Sequence, residues 1–188
     1  MVNGIYRMDV KVDQKAILDS IEVCLSNKTD FKADTIKEVL RSLLLDEVPV
    51  LPIMRTAIRC SQTLGLDVRL FVVGEVIPAL IKKQVWISSP RVWEGVAFAA
   101  KMLIEQKEID FGLATVKDLM RAVLSLPLQQ LQCVVQNAPK LKAPILEYAN
   151  TLDADGKYDL IGRNSSGVLL SDEEKDQLII NKLGILSS

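Results

Sequence analysis

The sequence contains no histidine among its 188 residues. Histidine is the commonest general base and a frequent metal ligand, so its absence rules out Ser-His and Cys-His catalytic pairs and argues against an enzyme. Cysteine is also scarce, with only Cys24, Cys60 and Cys133. These three lie far apart at apolar positions of helical patterns. We therefore interpret them as small core side chains in a reducing compartment rather than metal ligands or nucleophiles.

The sequence also lacks an excess of either charge and a long apolar run. It has 23 basic and 24 acidic residues, a net charge of −1, which argues against nucleic-acid binding through a strongly basic surface. Hydrophobic residues make up 49% of the chain, yet no run reaches the roughly 18 apolar residues of a membrane span. The first residues lack the apolar segment of a secretory signal. We therefore expect neither secretion nor membrane insertion.

Apolar residues instead recur with helical spacing along most of the chain, and prolines mark several helix starts. Pro52, Pro90 and Pro127 each precede an apolar-faced helix, a break and a second helix, and they are spaced 38 and 37 residues apart. Proline suits the first position of a helix, where its missing N–H costs nothing. A period near 40 residues built of helix pairs is typical of solenoids. The sequence therefore predicts an all-α fold, a HEAT/armadillo-like superhelix of antiparallel helix pairs.

The pattern also predicts how the chain is divided. Residues 1–10 are expected to form an extended leader, and residues 11–150 a helical-repeat scaffold domain. Residues 151–170 contain several glycines and aspartates without a period, so they are expected to form a loop. Residues 171–188 are expected to form a C-terminal helix, docked on the domain or mobile, that begins with a capping box at Ser171 and Glu174 and is closed by Gly184. Pro78 lies inside a helix and is expected to kink it.

Both tryptophans of the chain lie in one stretch, Lys82 to Gly95. Ser89 and Pro90 separate them, so one helix should end near Trp86 and the next should carry Trp93 in its first turn. One interpretation is that both rings fill the junction between stacked repeats. The other is that an exposed tryptophan edge forms a docking patch with the neighbouring basic residues, because Arg and Trp are favoured at interfaces.

No other pattern indicates chemistry. The run Asp153 to Asp159 looks like a calcium loop, but its glycine is at position 4 and no glutamate closes it, so a solvated turn is favoured. No glycine series forms a phosphate-binding loop. We predict no catalytic residue, no metal site, no cofactor and no small-molecule substrate.

Four motifs occur in order between Val48 and Tyr148. They are Leu51-Pro52-Ile53-Met54-Arg55-Thr56-Ala57-Ile58; then Lys83-Gln84-Val85-Trp86 followed by Pro90-Arg91-Val92-Trp93-Glu94-Gly95; then Ser125-Leu126-Pro127-Leu128-Gln129-Gln130-Leu131; and then Ala138-Pro139-Lys140-Leu141-Lys142-Ala143-Pro144-Ile145-Leu146. Together they resemble the C-terminal domain of the symplekin family, while residues 1–45 match only as generic helices and residues 151–188 show no resemblance.

This resemblance implies a nuclear, non-catalytic scaffold domain of the mRNA 3′-end cleavage and polyadenylation machinery. It implies binding to the C-terminal domains of the endonuclease subunit and of its inactive homologue. Two alternatives stay open: a generic HEAT-like adaptor, and a helical repeat that binds RNA directly. The motifs do not mark contact residues, so the candidate partner-binding residues are the polar and aromatic side chains of the two most specific motifs and of the neighbouring helix end: Arg55, Lys82, Lys83, Trp86, Arg91, Trp93 and Glu94.

Overall fold

The computed structural model describes residues 19–20, 23–24, 26, 32–47, 49, 52–104, 114–161 and 170–187. These residues form helices joined by short turns, without a β-strand in the described ranges, so the all-α prediction is confirmed. The predicted leader and most of the predicted first helix lie outside the described residues. The elements are α1 (Ala33–Leu44), α2 (Ile53–Leu64), α3 (Leu66–Phe71), a π-helical turn (Val72–Val76), α4 (Ile77–Lys82), α5 (Val85–Ser88), α6 (Pro90–Ile104), α7 (Ala114–Leu124), α8 (Leu128–Asn137), a 3₁₀ turn (Pro139–Leu141), α9 (Lys142–Thr151), α10 (Ala154–Leu160) and α11 (Asp172–Ser187).

The three prolines lie at helix starts, as the sequence predicts. Pro52 and Pro127 immediately precede α2 and α8, and Pro90 is the first residue of α6. The carbonyl of Pro52 accepts the backbone N–H of Thr56, so the proline already takes part in helical hydrogen bonding while its missing donor costs nothing. Gly65 ends α2 with φ 85, a left-handed conformation that favours glycine. The ends of α2 are therefore set by local sequence.

The helices that follow the prolines pack side by side in one row. In this first row, α2 contacts α6, and α6 contacts α8. In a second row, the π-helical turn and α4 contact α7, and α7 contacts α9. Apolar side chains between the rows are buried and form the core, among them Ala57, Leu80, Val96, Val123 and Leu131. The helices thus lie in two contacting rows, while the HEAT/armadillo-like repeat of helix pairs and its superhelical shape stay predictions.

The helix that contains Pro78 adopts a π-helical turn before the proline. The backbone N–H of Ile77 donates to the carbonyl of Val72, five residues earlier. Proline lacks an N–H and its ring clashes with the carbonyl four residues before it, which here belongs to Gly74. A π turn is one of the few ways in which a helix accommodates such a local defect. Gly74 also permits close packing, because a Cβ built there would lie 2.0 Å from the Thr115 Cγ2 atom at the start of α7.

α1 is fastened to the rest of the fold by charged side chains. The Arg41 guanidinium donates to both carboxylate oxygens of Glu75, at 3.0 and 2.9 Å, and lies 4.9 Å from the centre of the Phe71 ring. Lys37 forms an ion pair with Asp67. These partners raise the pKa of both cations, chiefly through the hydrogen bonds to Glu75 and Asp67. Ion pairs and hydrogen bonds between charged side chains therefore join α1 to α3 and the π turn.

The structure corrects two predictions about the C-terminal part. The expected loop over 151–170 contains α10, which begins at Ala154 because the Asp153 carboxylate accepts the backbone N–H of Gly156 at 2.7 Å. The favoured solvated turn at Asp153 to Asp159 was therefore wrong in its local structure. Gly184 does not close the last helix, since α11 continues to Ser187. The capping box is confirmed: Ser171 Oγ accepts from the Glu174 N–H, and the Glu174 carboxylate accepts from the Ser171 N–H at 2.8 Å.

α11 is docked, because it contacts α8, α9 and α10. Its most unusual residue is Lys182, which is 0% exposed. The Lys182 ammonium donates to the carbonyls of Leu124 and Ile161, each at 3.0 Å. Leu124 is the last residue of α7, and Ile161 follows the last residue of α10, so the cation meets the negative ends of two helix dipoles. Burial nevertheless lowers the pKa of Lys182 to about 8.

Candidate partner-binding surface

The two tryptophans meet at a sharp corner between α4 and α6. Gln84 has φ 52, a left-handed conformation that ends the preceding helix, and α5 then forms a single turn before Ser89. The rings of Trp86 and Trp93 pack edge to face, with centroids 5.6 Å apart and planes at 72°. Trp93 is only 8% exposed, whereas Trp86 is half-buried. The packing interpretation therefore describes Trp93, while Trp86 keeps an edge that a partner can reach.

Lys83 connects the corner to the segment after α1. Its ammonium donates to the backbone carbonyl of Asp46 at 2.6 Å, and the side chain is half-buried. A backbone carbonyl in a turn needs a donor when water has limited access to it. The position of Lys83 is thus explained by the fold alone.

Arg55, Arg91 and Glu94 lie exposed on the first row of helices. α2 and α6 approach each other closely at Gly95. A Cβ built on this glycine would lie only 2.8 Å from the Met54 Cβ. Met54 precedes Arg55, and Gly95 follows Glu94, so the two family motifs form one helix contact and present their polar residues beside it. The contact explains why a glycine ends the second motif.

Lys82 is exposed but belongs to the second row, at the end of α4. It lines an open groove of about 730 Å³ between α4, α7, α9 and α10. The charged lining is balanced, with Lys82 and Arg121 facing Asp118 and Asp159. The candidate residues are therefore divided: Arg55, Arg91 and Glu94 share the first row, and Lys82 stands apart from them.

Among the exposed apolar side chains that the sequence reasoning missed, two lie on the helices that carry the tryptophans. Phe98 in α6 is 53% exposed and Ile87 in α5 is 68% exposed. A signal for Phe98 was present, because it follows Arg91 by seven residues and Glu94 by four, which places all three on one helix face. Lys101 lies three residues further along the same face and is also exposed.

Acidic side chains, thiols and apolar helices can be located within the described residues. Within them, no group of three or more cysteine, aspartate and glutamate side chains could hold a metal ion. The thiol of Cys60 is fully buried, and burial raises its pKa to about 12, so it is a core side chain. Cys24 and Cys133 are half-buried. None of the helices in the described ranges has the length and apolar character needed to cross a bilayer.

The described residues thus form an all-α domain with a packed corner of two tryptophans and with exposed polar residues along one row of helices. The family model "Symplekin tight junction protein C terminal" matches residues 2–138. The chain therefore belongs to the symplekin C-terminal family, and the match reaches further toward the N-terminus than the motifs between Val48 and Tyr148. No solved structure matches the chain. Family membership supports a scaffold role in mRNA 3′-end processing.

Proposed function

We propose that the chain is a non-catalytic scaffold domain of the mRNA 3′-end cleavage and polyadenylation complex and that it acts in the nucleus. Its proposed partners are the C-terminal domains of the endonuclease subunit and of its inactive homologue. The observation that carries the proposal is the family match over residues 2–138. The absence of histidine from the sequence removes the commonest general base, which supports a binding role.

The proposed contact surface centres on the first row of helices. Arg55, Arg91 and Glu94 supply exposed polar groups there, and the half-buried Trp86 supplies an aromatic edge. Trp93 and Lys83 act by holding the corner in place, through the ring contact and through the bond to Asp46. Lys82 belongs to a contact only if a partner also reaches the second row.

We also propose that the functional unit extends beyond residue 150. α11 contacts α8 and α9, and Lys182 binds the carbonyl at the end of α7. A boundary at 150 would remove Leu186, which is buried in the core, and would leave the carbonyl of Leu124 without the Lys182 donor. A fragment used for binding experiments should therefore retain residues 171–188.

The test is a pull-down with the C-terminal domains of the nuclease pair. We expect the folded wild-type chain to retain both domains and Arg55→Glu/Arg91→Glu to lose most of that binding. Lys117→Glu/Lys140→Glu makes the same change of charge at two exposed residues, in α7 and the 3₁₀ turn, and serves as the matched control. Thermal unfolding of each variant shows that it is folded.

The outcomes separate the two parts of the proposal. If the folded wild type retains neither nuclease domain, the assignment to the nuclease module is wrong. If both double variants bind as well as the wild type, the nuclease partners stand and the chosen surface is wrong. The family description also refers to tight junctions. Recovery of junction or transport components instead of processing factors from cells would favour the generic adaptor.

A further inference from the structure

The balanced net charge of the chain conceals a local excess of positive charge on the first row of helices. α2 and α6 together contain four basic residues, Arg55, Arg59, Arg91 and Lys101, and one acidic residue, Glu94, which gives these two helices a net charge of +3. All five side chains are exposed. The chain as a whole carries −1, so the rest of the molecule is acidic by comparison.

These side chains are presented on one surface. On α6, Arg91, Glu94, Phe98 and Lys101 follow each other at intervals of three, four and three residues, which forms a single stripe along the helix. The contact of Gly95 with Met54 brings α2 alongside this helix, and Arg55 directly follows Met54. On the other side of α6, the exposed face of α8 is neutral: Gln129, Gln132 and Gln136. The basic patch therefore does not continue onto α8.

The cations of the patch differ from those that hold the fold together. Lys37, Arg41 and Lys175 form ion pairs with neighbouring carboxylates. Among the described residues, no such ion pair involves Arg55, Arg91 or Lys101. Three exposed cations without a carboxylate partner in the described part of the chain make a surface complementary to an acidic ligand.

Phe98 gives the patch an apolar centre. Its neighbours Val96, Ala97 and Ala99 are buried, so α6 already packs on the core without this ring. The ring remains 53% exposed between Glu94 and Lys101 on the stripe. Aromatic side chains ringed by polar groups are typical centres of protein interfaces. An RNA strand would meet the carboxylate of Glu94 in the middle of the stripe, and strand-binding surfaces use a series of stacked aromatic rings rather than a single ring.

We propose that the outer face of α2 and α6 binds an acidic amphipathic helix of a protein partner. Phe98 packs against the apolar side of that helix, while Arg55, Arg91 and Lys101 bind its carboxylates. Glu94 disfavours an anionic ligand that lacks apolar or basic groups. The inference deepens the proposed function, since it names the chemistry by which a subunit of the processing complex is recognised at this surface.

The direct test uses fluorescence anisotropy with three labelled probes: a helical peptide of about 20 residues with glutamates on one face and leucines on the other, a copy with lysines for glutamates, and an oligouridine of about 15 nucleotides. We expect the acidic peptide to bind at least about tenfold more tightly than the lysine copy. Its affinity should fall as salt rises from about 50 to 300 mM.

The affinity for the acidic peptide should fall at least about tenfold in Arg55→Glu/Arg91→Glu and at least about threefold in Phe98→Ala.

Matched controls are available for both changes. Lys117→Glu/Lys140→Glu repeats the charge change outside the patch, and Ile87→Ala removes another exposed apolar side chain, so both should leave affinity within about twofold. The proposal is overturned if the acidic peptide binds no better than its lysine copy, if the patch variants bind it as the controls do, or if oligouridine is the probe that depends on the patch.

The nuclease domains then separate this inference from the function on which it rests. If the nuclease domains bind the wild type, Phe98→Ala and Arg55→Glu/Arg91→Glu equally well, the acidic-helix surface is wrong and the scaffold function stands. If they do not bind while the acidic peptide depends on the patch, the surface stands and the nuclease assignment fails.

Discussion

Lys182 offers a sharp test of the packing of the C-terminal helix. The ordinary pKa of a lysine is 10.5, and burial lowers that of Lys182 to about 8 in the folded chain. A shift of about 2.5 units corresponds to roughly 3 kcal/mol, because each unit is worth about 1.4 kcal/mol. Between about pH 8 and pH 10.5 the unfolded chain binds more protons than the folded chain at this residue. The contribution of Lys182 to the free energy of unfolding should therefore rise with pH across that window.

The perturbation is Lys182→Met, which keeps an unbranched apolar side chain and removes the titrating group. At pH 7 the variant escapes the burial penalty but leaves the carbonyls of Leu124 and Ile161 without a donor, at about 1–3 kcal/mol each, so the two effects largely cancel. At pH 10 Lys182 is mostly neutral in the folded wild type, because its pKa is about 8, so little of the penalty for burying its charge remains. The stability of the wild type relative to the variant should then have grown by roughly 2 kcal/mol.

The assay is urea unfolding of both proteins at several pH values between 7 and 10. All other side chains are the same in both proteins, so their contributions cancel in the difference. Lys140→Met, at an exposed residue, is the matched control and should follow the wild-type curve. If the wild-type and Lys182→Met curves run parallel across this range, Lys182 is not buried as a shifted cation, and the account of α11 docking is wrong.

Two further predictions concern a close helix contact and a buried thiol. Gly74→Ala should lower the free energy of unfolding by about 1–3 kcal/mol, because the new Cβ would lie 2.0 Å from Thr115 Cγ2. A Cβ built on Gly184 would have no atom within 4 Å, and Gly184 lies in a helix, so Gly184→Ala should raise the free energy of unfolding by up to about 1 kcal/mol. Equal thermal unfolding of the two variants would contradict this reasoning. In variants that retain one cysteine each, Cys60 should react with a thiol reagent at pH 8 at least about 100-fold more slowly than Cys133, because it is fully buried with a pKa near 12. Similar rates would show that Cys60 is accessible.

The sequence predicted the features that depend on local chemistry. Pro52, Pro90 and Pro127 mark helix starts because their constraints act on their own backbone, whatever surrounds them. The capping box at Ser171 is equally local, since both hydrogen bonds lie within four residues. Apolar spacing predicted the buried faces of α1 and α7, because a helix with one apolar stripe must bury it.

The features that were missed depend on tertiary contacts. Lys182 lies between Ile179 and Leu186 on the apolar side of α11, so its spacing indicated an inward position, but lysine is seldom buried without a carboxylate partner. The acceptors at Leu124 and Ile161 become apparent only when three helices meet. α10 was missed because seven residues with one glycine show no clear period, and its start depends on the side chain of Asp153.

The partner surface stays a prediction, and the structure shows only where its candidate residues lie. The motifs indicated Arg55, Arg91 and Glu94, which the structure places on one row of helices. The same motifs include Lys83, whose ammonium donates to the backbone carbonyl of Asp46, and Trp93, which is buried. A motif marks residues that a family retains for packing as well as for binding, and burial is needed to tell the two apart.

The π-helical turn at Val72–Val76 has a consequence for the length of the chain at that point. A π turn contains one residue more than a regular helix would need to cover the same stretch. Deleting one residue of the turn would therefore leave a regular helix over the same stretch, with the residues after it on the same helix faces. Ile77 and Ile81, which are buried, would still face the core. The ring of Pro78 would instead clash with the carbonyl four residues before it, because a regular helix cannot accommodate proline there. The extra residue of the π turn thus adapts the backbone to Pro78, while the side chains of α4 keep the same faces with or without it.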